Sequence, residues 1–152
     1  MADYFELPDE LHVYYRFSYG GLSPFFRALV EEEKILGSRC PQCGKVYCPP
    51  RTHCGACYVD TQWLPLSGKG TVIAAVYCYW TPADWPVRPY VDLPYVYALV
   101  RLDGADTCLN SAVVVDDMRL NEKVRQGTRV RAVFRERREG KITDFYFVPD
   151  EE

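Results

Sequence analysis

The stretch that decides the fold is residues 40–57, where Cys40-Pro41-Gln42-Cys43 and Cys54-Gly55-Ala56-Cys57 form two Cys-x-x-Cys pairs separated by ten residues. Each pair brings two thiolates onto one tight turn, so two such turns make a tetrahedral site of four sulfur ligands. Zinc suits this site, because a d10 ion accepts four soft thiolates without a geometric preference. We therefore expect one structural Zn2+ per chain with no chemistry at the metal, held by Cys40, Cys43, Cys54 and Cys57.

Two other chemistries use the same spacing. Iron in a rubredoxin-like site competes with zinc, and spacing alone does not separate the two metals. Two disulfides are the third interpretation, which is less common for adjacent Cys-x-x-Cys pairs in a chain without an export signal. Cys48 and His53 lack the two-residue spacing, so we place both outside the ligand set. Cys78 and Cys108 lie in apolar, strand-like runs, where a free cysteine is usually a small core residue.

The whole chain has the composition of an ordinary globular protein, with 152 residues of which 48% are hydrophobic and 26% are charged. This length accommodates one domain or two small ones. Because no apolar run approaches the roughly 18 to 20 residues of a membrane-spanning helix, and the N-terminus is acidic, we expect a soluble cytoplasmic protein. The net charge of −3 disfavours a nucleic-acid binder, although residues 119–138 hold eight basic residues against two acidic ones.

The segment before the cysteines is expected to contain an arm and a helix. Residues 1–22 combine acids with aromatic residues and show no clean period, which favours an extended arm. Ser23-Pro24 offers an N-cap followed by proline, apolar residues then recur at helical spacing, and Gly37 is expected to end the helix. The sequence thus divides into an arm and helix (1–37), a metal-dependent ribbon (38–62) and a C-terminal domain (63–152).

The C-terminal domain is predicted to be a five-stranded barrel with its own core. A glycine turn, Leu66-Ser67-Gly68-Lys69-Gly70, precedes the first strand. Thr81–Pro94 carries four prolines and must be a loop, and Asp116–Gln126 is expected to be a short helix or irregular crossing between the third and fourth strands. The predicted strands are Thr71–Trp80, Tyr95–Leu102, Thr107–Val115, Arg129–Arg135 and Ile142–Val148.

The sequence gives no positive case for catalysis by this chain alone. A catalytic cysteine needs an activating partner, and the only histidines are His12 in the arm and His53 in the ribbon. No nucleophile elbow, phosphate loop or His-Glu-x-x-His motif is present. Asp116-Asp117 is best interpreted as a pair of solvated charges.

The chain is instead rich in residues that are typical of interfaces, with twelve Tyr, three Trp and thirteen Arg. Trp80, Trp85 and Tyr90 lie on or beside the long loop and are candidate partner contacts, although part of the aromatic set must fill the core. The arginines Arg129, Arg131, Arg135 and Arg137 recur mostly at period two, which predicts one basic strand face. The alternative is a solvated edge strand, whose charges block unwanted pairing.

Several sequence landmarks follow one another in a fixed order. They are Ile35-Leu36-Gly37-Ser38-Arg39, the Cys-Pro-Gln-Cys-Gly run at 40–44, Pro49-Pro50-Arg51, and the glycine turn that continues into Thr71-Val72. In this order the chain resembles the DUF35 family. The resemblance continues through residues 94–103 and 127–131, and it covers nearly all of residues 17–148.

The resemblance implies an N-terminal helical segment, a rubredoxin-like zinc ribbon and a C-terminal OB-fold. It also implies a non-catalytic subunit in a hetero-oligomer with an acyl-CoA enzyme, either a thiolase-like condensing enzyme or a MaoC-like hydratase or aldolase. Phe17-Ser18-Tyr19-Gly20-Gly21 resembles the arm of thiolase-linked members, such as those that cleave benzoylsuccinyl-CoA.

The catalytic residues and the acyl-CoA substrate would then belong to the complex, with the catalytic groups in the partner. On this interpretation Arg129, Arg131 and Arg135 are candidates to hold the phosphates of coenzyme A. The competing function is single-stranded nucleic-acid binding, because zinc ribbons and OB-folds serve that role as well.

Overall fold

The computed structural model describes residues 5–85, 87–115 and 124–150. In these ranges the chain is mainly β, with one short α-helix near the N-terminus, a small three-stranded sheet and a five-stranded barrel. The predicted fold class is confirmed. The elements are α1 (Ser23–Glu31), β1 (Ile35–Arg39), β2 (Val46–Tyr47), β3 (Gln62–Leu66), β4 (Lys69–Cys78), β5 (Tyr95–Leu102), β6 (Leu109–Val113), β7 (Arg129–Phe134) and β8 (Phe145–Pro149).

Helix α1 is shorter than the sequence indicates. Its apolar face buries Phe25, Ala28 and Leu29, as the helical spacing predicts, but the helix ends at Glu31 rather than at Gly37. Glu33 adopts a left-handed backbone conformation with φ of 53°, which turns the chain out of the helix. The residues after it form β1, because pairing on both sides of this strand overrides its helical propensity.

The start of the helix also differs from the prediction. Leu22, not Ser23, occupies the N-cap position, and no side chain caps the helix there. Ser23 is instead the first helical residue, and its hydroxyl donates to the carbonyl of Gly20 at 2.7 Å.

The three-stranded sheet, hereafter the ribbon sheet, has the order β2-β1-β3, with antiparallel pairing throughout. Strand β1 pairs with β3 along its whole length, from Ile35 opposite Leu66 to Arg39 opposite Gln62. The boundaries drawn from the sequence, at 37/38 and 62/63, fall inside these two strands. The ribbon sheet therefore extends over residues on both sides of each boundary.

The barrel closes in the order β4-β5-β6-β8-β7, and all five of its strands overlap those predicted. Two residues of its glycine turn require glycine for different reasons. Gly68 has φ of 77°, a left-handed backbone conformation that favours glycine, and at Gly70 a Cβ atom would lie only 2.6 Å from the carbonyl oxygen of Arg101. Strand β7 pairs with β4 and with β8, so the edge-strand interpretation of its arginines is wrong. Of the predicted 116–126 connection, residues 116–123 lie outside the described residues.

One hydrophobic core joins the helix, the ribbon sheet and the barrel, so the expectation of a separate barrel core is wrong. Phe25 and Leu29 of α1 and Ile35 of β1 pack in the same buried cluster as barrel residues such as Val100 and Phe147. The sequence could not show this, because the contacts join residues more than sixty positions apart. A smaller cluster on the metal side of the ribbon contains only three buried residues, Cys40, Tyr47 and Cys54.

A seam of hydrogen bonds fixes β2 to the turn between β5 and β6. The backbone N–H of Val46 donates to the carboxylate of Asp106 at 2.8 Å, and the N–H of Asp106 donates back to the Val46 carbonyl at 2.9 Å. Two residues on, the N–H of Cys48 donates to Thr107 Oγ1, which donates to the Cys48 carbonyl. The ribbon and the barrel are therefore bound by backbone pairing as well as by shared core packing.

No helix within residues 5–85, 87–115 and 124–150 is long and apolar enough to cross a membrane.

Candidate metal centre

The four cysteines of the two Cys-x-x-Cys pairs come together at the end of the ribbon. The Sγ atoms of Cys40, Cys43, Cys54 and Cys57 all lie within 4.8 Å of one another. Each pair sits on a tight turn that one backbone hydrogen bond closes. In the first turn the N–H of Gly44 donates to the Cys40 carbonyl at 2.9 Å, and in the second the N–H of Tyr58 donates to the Cys54 carbonyl at 3.0 Å.

The donor set fits zinc. Sγ of Cys43 lies 3.8 Å from Sγ of Cys54, and a tetrahedron with Zn–S bonds of about 2.3 Å has edges of about that length. The four donors are all thiols, which suits a closed structural site. The ion would be held by these four side chains, and it would supply cross-linking of the two turns.

The polar surroundings of one thiol already favour its ionised form. Hydrogen bonds from the hydroxyl of Tyr47 and from the backbone N–H groups of Ala56 and Cys57 lower the pKa of Cys54 to about 6. The Tyr47 hydroxyl lies 3.3 Å from Sγ of Cys54. At the first turn, the N–H of Cys43 donates to Sγ of Cys40 at 3.4 Å. Such N–H and O–H donors stabilise thiolates, the form that binds metal.

The structure places the other candidate ligands away from the four sulfurs. Cys48 is fully buried in the shared core, where burial, aided by nearby Cys108, raises its pKa to about 12. The ring of His53 is held by its neighbours, with Nε2 2.9 Å from the carboxylate of Asp60 and Nδ1 3.0 Å from Thr52 Oγ1.

The remaining thiols lie in the barrel. Cys78 packs beside Tyr95 and Ala112 in a small cluster under the long loop, and both Cys78 and Cys108 are half-buried.

The aromatic residues of the long loop separate into exposed and packed ones. Trp80 is 76% exposed and Trp85 is 48% exposed. Tyr90 is packed rather than exposed on its own, because the guanidinium of Arg135 lies over its ring, 4.7 Å from the ring centre. Arg135 also lies over Tyr146 at 4.8 Å, and burial lowers its pKa. The Tyr90–Arg135 pair therefore braces the loop against the barrel.

The other two candidate arginines of β7 have acidic partners. Arg129 makes two hydrogen bonds to the carboxylate of Asp103, at 2.8 and 2.6 Å, which lower the pKa of that carboxyl. The ion pair of Arg131 is weaker than that of Arg129, because its Nε lies 3.9 Å from the carboxylate of Asp150 and its side chain is 53% exposed. Arg131 is thus the one of the three candidates best placed to meet a ligand.

Residues 5–17 form an exposed apolar segment, hereafter the apolar arm, which the sequence indicated only as an extended aromatic stretch. The arm is attached where Tyr19 stacks on Phe26 at 3.6 Å and donates its hydroxyl proton to the carbonyl of Gly140 at 3.0 Å. Its large apolar side chains are each at least 61% exposed, and they are Phe5, Leu7, Leu11, Val13, Tyr14, Tyr15 and Phe17.

A ribbon with four clustered cysteines followed by a closed five-stranded barrel defines a zinc-ribbon and OB-fold protein. Comparison with known proteins agrees. The model of the ChsH2 rubredoxin-like zinc ribbon domain matches residues 27–61, and the model of the ChsH2 C-terminal OB-fold domain matches residues 63–135.

Curated relatives identify the family. A DUF35 domain-containing scaffold protein of Methanocaldococcus jannaschii is 33% identical over 112 residues, which cover 72% of this chain and 74% of the relative. A protein of the same description from Methanothermobacter thermautotrophicus is 29% identical, over 75% of this chain and 81% of the relative. The chain belongs to the DUF35 family, as the order of its motifs predicts.

Solved structures share the fold. The Ltp2-ChsH2(DUF35) aldolase matches with a TM-score of 0.62 and 24% identity, over 84% of this chain and 92% of that chain. A DUF35 protein of unknown function from Sulfolobus solfataricus matches with the same TM-score and 19% identity, over 86% of this chain and 87% of that chain.

Proposed function

We propose that this chain is a non-catalytic, zinc-containing accessory subunit of an acyl-CoA enzyme, whose catalytic subunit is of the thiolase type. The observation that carries the proposal is the apolar arm, which exposes seven large apolar side chains in a chain whose relatives are described as scaffold proteins. Apolar surface of this extent marks an interaction site, because exposing it to water is unfavourable.

The described residues support a scaffold better than a catalyst. Cys48, a fully buried thiol outside the four clustered cysteines, is held neutral by its raised pKa. His53 forms an exposed pair with Asp60 beside the metal centre. The proposed zinc site is closed by four thiols and leaves no open coordination position. Catalysis is therefore assigned to the partner.

An aldolase is the second candidate partner, because one of the structures that share this fold is described as an Ltp2-ChsH2(DUF35) aldolase. A MaoC-like hydratase is the further alternative that the family resemblance implies. All three classes of partner act on coenzyme A thioesters. Arg131 supports a contact of this chain with the phosphates of the thioester, since its guanidinium is half exposed and only loosely paired.

Co-expression tests the proposal. The chain is produced with thiolase-like, aldolase-like and hydratase-like proteins of its own organism, and each mixture is analysed by size-exclusion chromatography with zinc measurement. Co-elution with the thiolase-like protein and about one zinc per chain is expected. Co-elution with an aldolase or hydratase alone would change the partner class, and separate elution from all three would contradict the accessory-subunit proposal.

Surface variants locate the contact. Replacing Tyr14, Tyr15 and Phe17 together by serine should abolish co-elution, because it removes three large side chains of the apolar arm. The fold should persist, since these side chains are 93%, 76% and 70% exposed. Tyr58→Ser is the matched control, since Tyr58 is an exposed aromatic residue on the ribbon.

The coenzyme A contact is tested in the assembled enzyme. Arg131→Glu should raise the KM for the acyl-CoA substrate, whereas Arg101→Glu, an exposed arginine on β5, should leave it unchanged. An unchanged KM in both variants would remove the contact.

A further inference from the structure

The metal centre has a buried hydroxyl beside one of its sulfurs. Tyr47 lies on β2, is 3% exposed, and its hydroxyl oxygen is 3.3 Å from Sγ of Cys54. A metal-bound thiolate has no proton, so it can only accept a hydrogen bond. In the loaded site the proton must therefore belong to Tyr47, and the contact is an O–H···S hydrogen bond to the Cys54 thiolate.

The backbone at Tyr47 is fixed from several directions. Tyr47 pairs with Ser38 across the ribbon sheet, and the residues on either side of it, Val46 and Cys48, form the seam with the barrel. The backbone that carries this buried side chain is thus held by the same pairing that joins the ribbon to the barrel. A hydrogen-bond donor held in this way costs little entropy when the thiolate forms.

Two cations flank the same ring. Nζ of Lys45 lies 5.4 Å, and Cζ of Arg51 lies 5.3 Å, from the centre of the Tyr47 ring. Four thiolates around Zn2+ leave a net charge of about −2, and two nearby cations oppose that charge.

We infer that Tyr47 is a positioning residue of the zinc centre, whose hydroxyl donates to Cys54 Sγ and so retains the metal. The inference rests on the proposed zinc site. Groups that hydrogen-bond to metal ligands orient them and spread their charge, and losing such a group typically weakens metal binding by about 10- to 100-fold.

The test compares zinc retention in Tyr47→Phe and Tyr58→Phe. Both remove one hydroxyl near the second cysteine pair, but Tyr58 is 84% exposed. Competition with a chromophoric chelator should show zinc affinity weakened about 10- to 100-fold in Tyr47→Phe and unchanged in Tyr58→Phe. Equal affinity in the two variants would overturn the inference. Wild-type protein without zinc would overturn the metal centre itself, which is a distinguishable result.

A measurement on the wild-type protein covers the case in which Tyr47→Phe does not fold. In protein loaded with 113Cd, a proton–cadmium correlation spectrum detects hydrogen bonds to the ligand sulfurs. A cross-peak from the Tyr47 hydroxyl proton is expected. The backbone N–H of Cys43, which donates to Cys40 Sγ, is the internal positive control. A spectrum with the Cys43 cross-peak and no Tyr47 cross-peak would refute the hydrogen bond.

Discussion

Ile35→Ala should destabilise the barrel although Ile35 belongs to the ribbon sheet. Ile35 is 1% exposed and lies in the core that the ribbon sheet shares with the barrel. The substitution removes three carbon atoms from that core, which is worth about 2.4 kcal/mol in lost burial at about 0.8 kcal/mol per methylene. The cavity left behind adds to this, so we expect a loss of about 3 to 4 kcal/mol and a fall in Tm of roughly 10 °C.

The assay must report on the barrel separately from the ribbon. Native-state amide hydrogen exchange does so, because Val100 on β5 and Val113 on β6 are buried barrel residues far from β1 in the sequence. In zinc-loaded Ile35→Ala their amides should exchange about 100- to 1,000-fold faster than in the wild type, which is the loss of about 3 to 4 kcal/mol at tenfold per 1.4 kcal/mol. Val76→Ala is the control, since Val76 is 57% exposed on β4 and its truncation should cost less than about 0.5 kcal/mol.

One result would refute the reasoning about a shared core. If the exchange of the Val100 and Val113 amides were unchanged in Ile35→Ala while ribbon amides became faster, the ribbon and barrel would unfold independently. The packing of Ile35 against the barrel would then contribute nothing to barrel stability.

Four further outcomes are expected. Cys43→Ser should lose zinc by metal analysis, and retained stoichiometric zinc would show that the ligand set is wrong. Arg138→Ala should cost about 1 to 2 kcal/mol in urea unfolding, because its guanidinium donates to the Val30 carbonyl at the end of α1; Arg137→Ala, 89% exposed, should cost less than about 0.5 kcal/mol. Cys48 should resist labelling by iodoacetamide in the folded protein, and rapid labelling would contradict its burial. Its raised pKa also makes the free energy of unfolding pH-dependent: the stabilisation is complete below about pH 8.5 and declines as the pH rises toward 12, which urea unfolding at pH 7 to 10 would show. Fluorescence anisotropy with single-stranded DNA at low salt should show no binding tighter than micromolar, and a tighter, salt-dependent affinity would favour the nucleic-acid interpretation.

Local patterns in the sequence were enough to predict much of the fold. The spacing of the cysteine pairs identified the four thiols that converge, and apolar runs between turn residues located the barrel strands. The end of α1 was misplaced, because Ile35 and Leu36 continue an apolar pattern that suits a helix. They form a strand because they pair with β3, about thirty residues further along the chain, and no local pattern contains that pairing.

The basic face of β7 shows the same limit for electrostatics. The sequence displays the arginines at period two, but their acidic partners are distant along the chain. Asp103 follows β5 and Asp150 follows β8, and the barrel brings both beside β7. Arg129 is therefore paired in the fold, which weakens the case for a phosphate-backbone surface, whereas Arg131 is only loosely paired and stays the more accessible charge of the two.

Zinc and the shared core stabilise opposite ends of the ribbon. The inner end buries Ile35 and Val46 in the barrel core, whereas the outer end has a cluster of only three buried residues, too few to hold two turns in place. The proposed metal cross-link would stabilise the two turns there, and the hydrogen bonds of the seam join the ribbon to the β5–β6 turn. The apolar arm is anchored at its C-terminal end, because the hydroxyl of Tyr19 donates to the carbonyl of Gly140 next to the barrel. The proposed accessory role requires contact surfaces held in a set arrangement, and the shared core, the seam and the proposed metal cross-link would together hold them there.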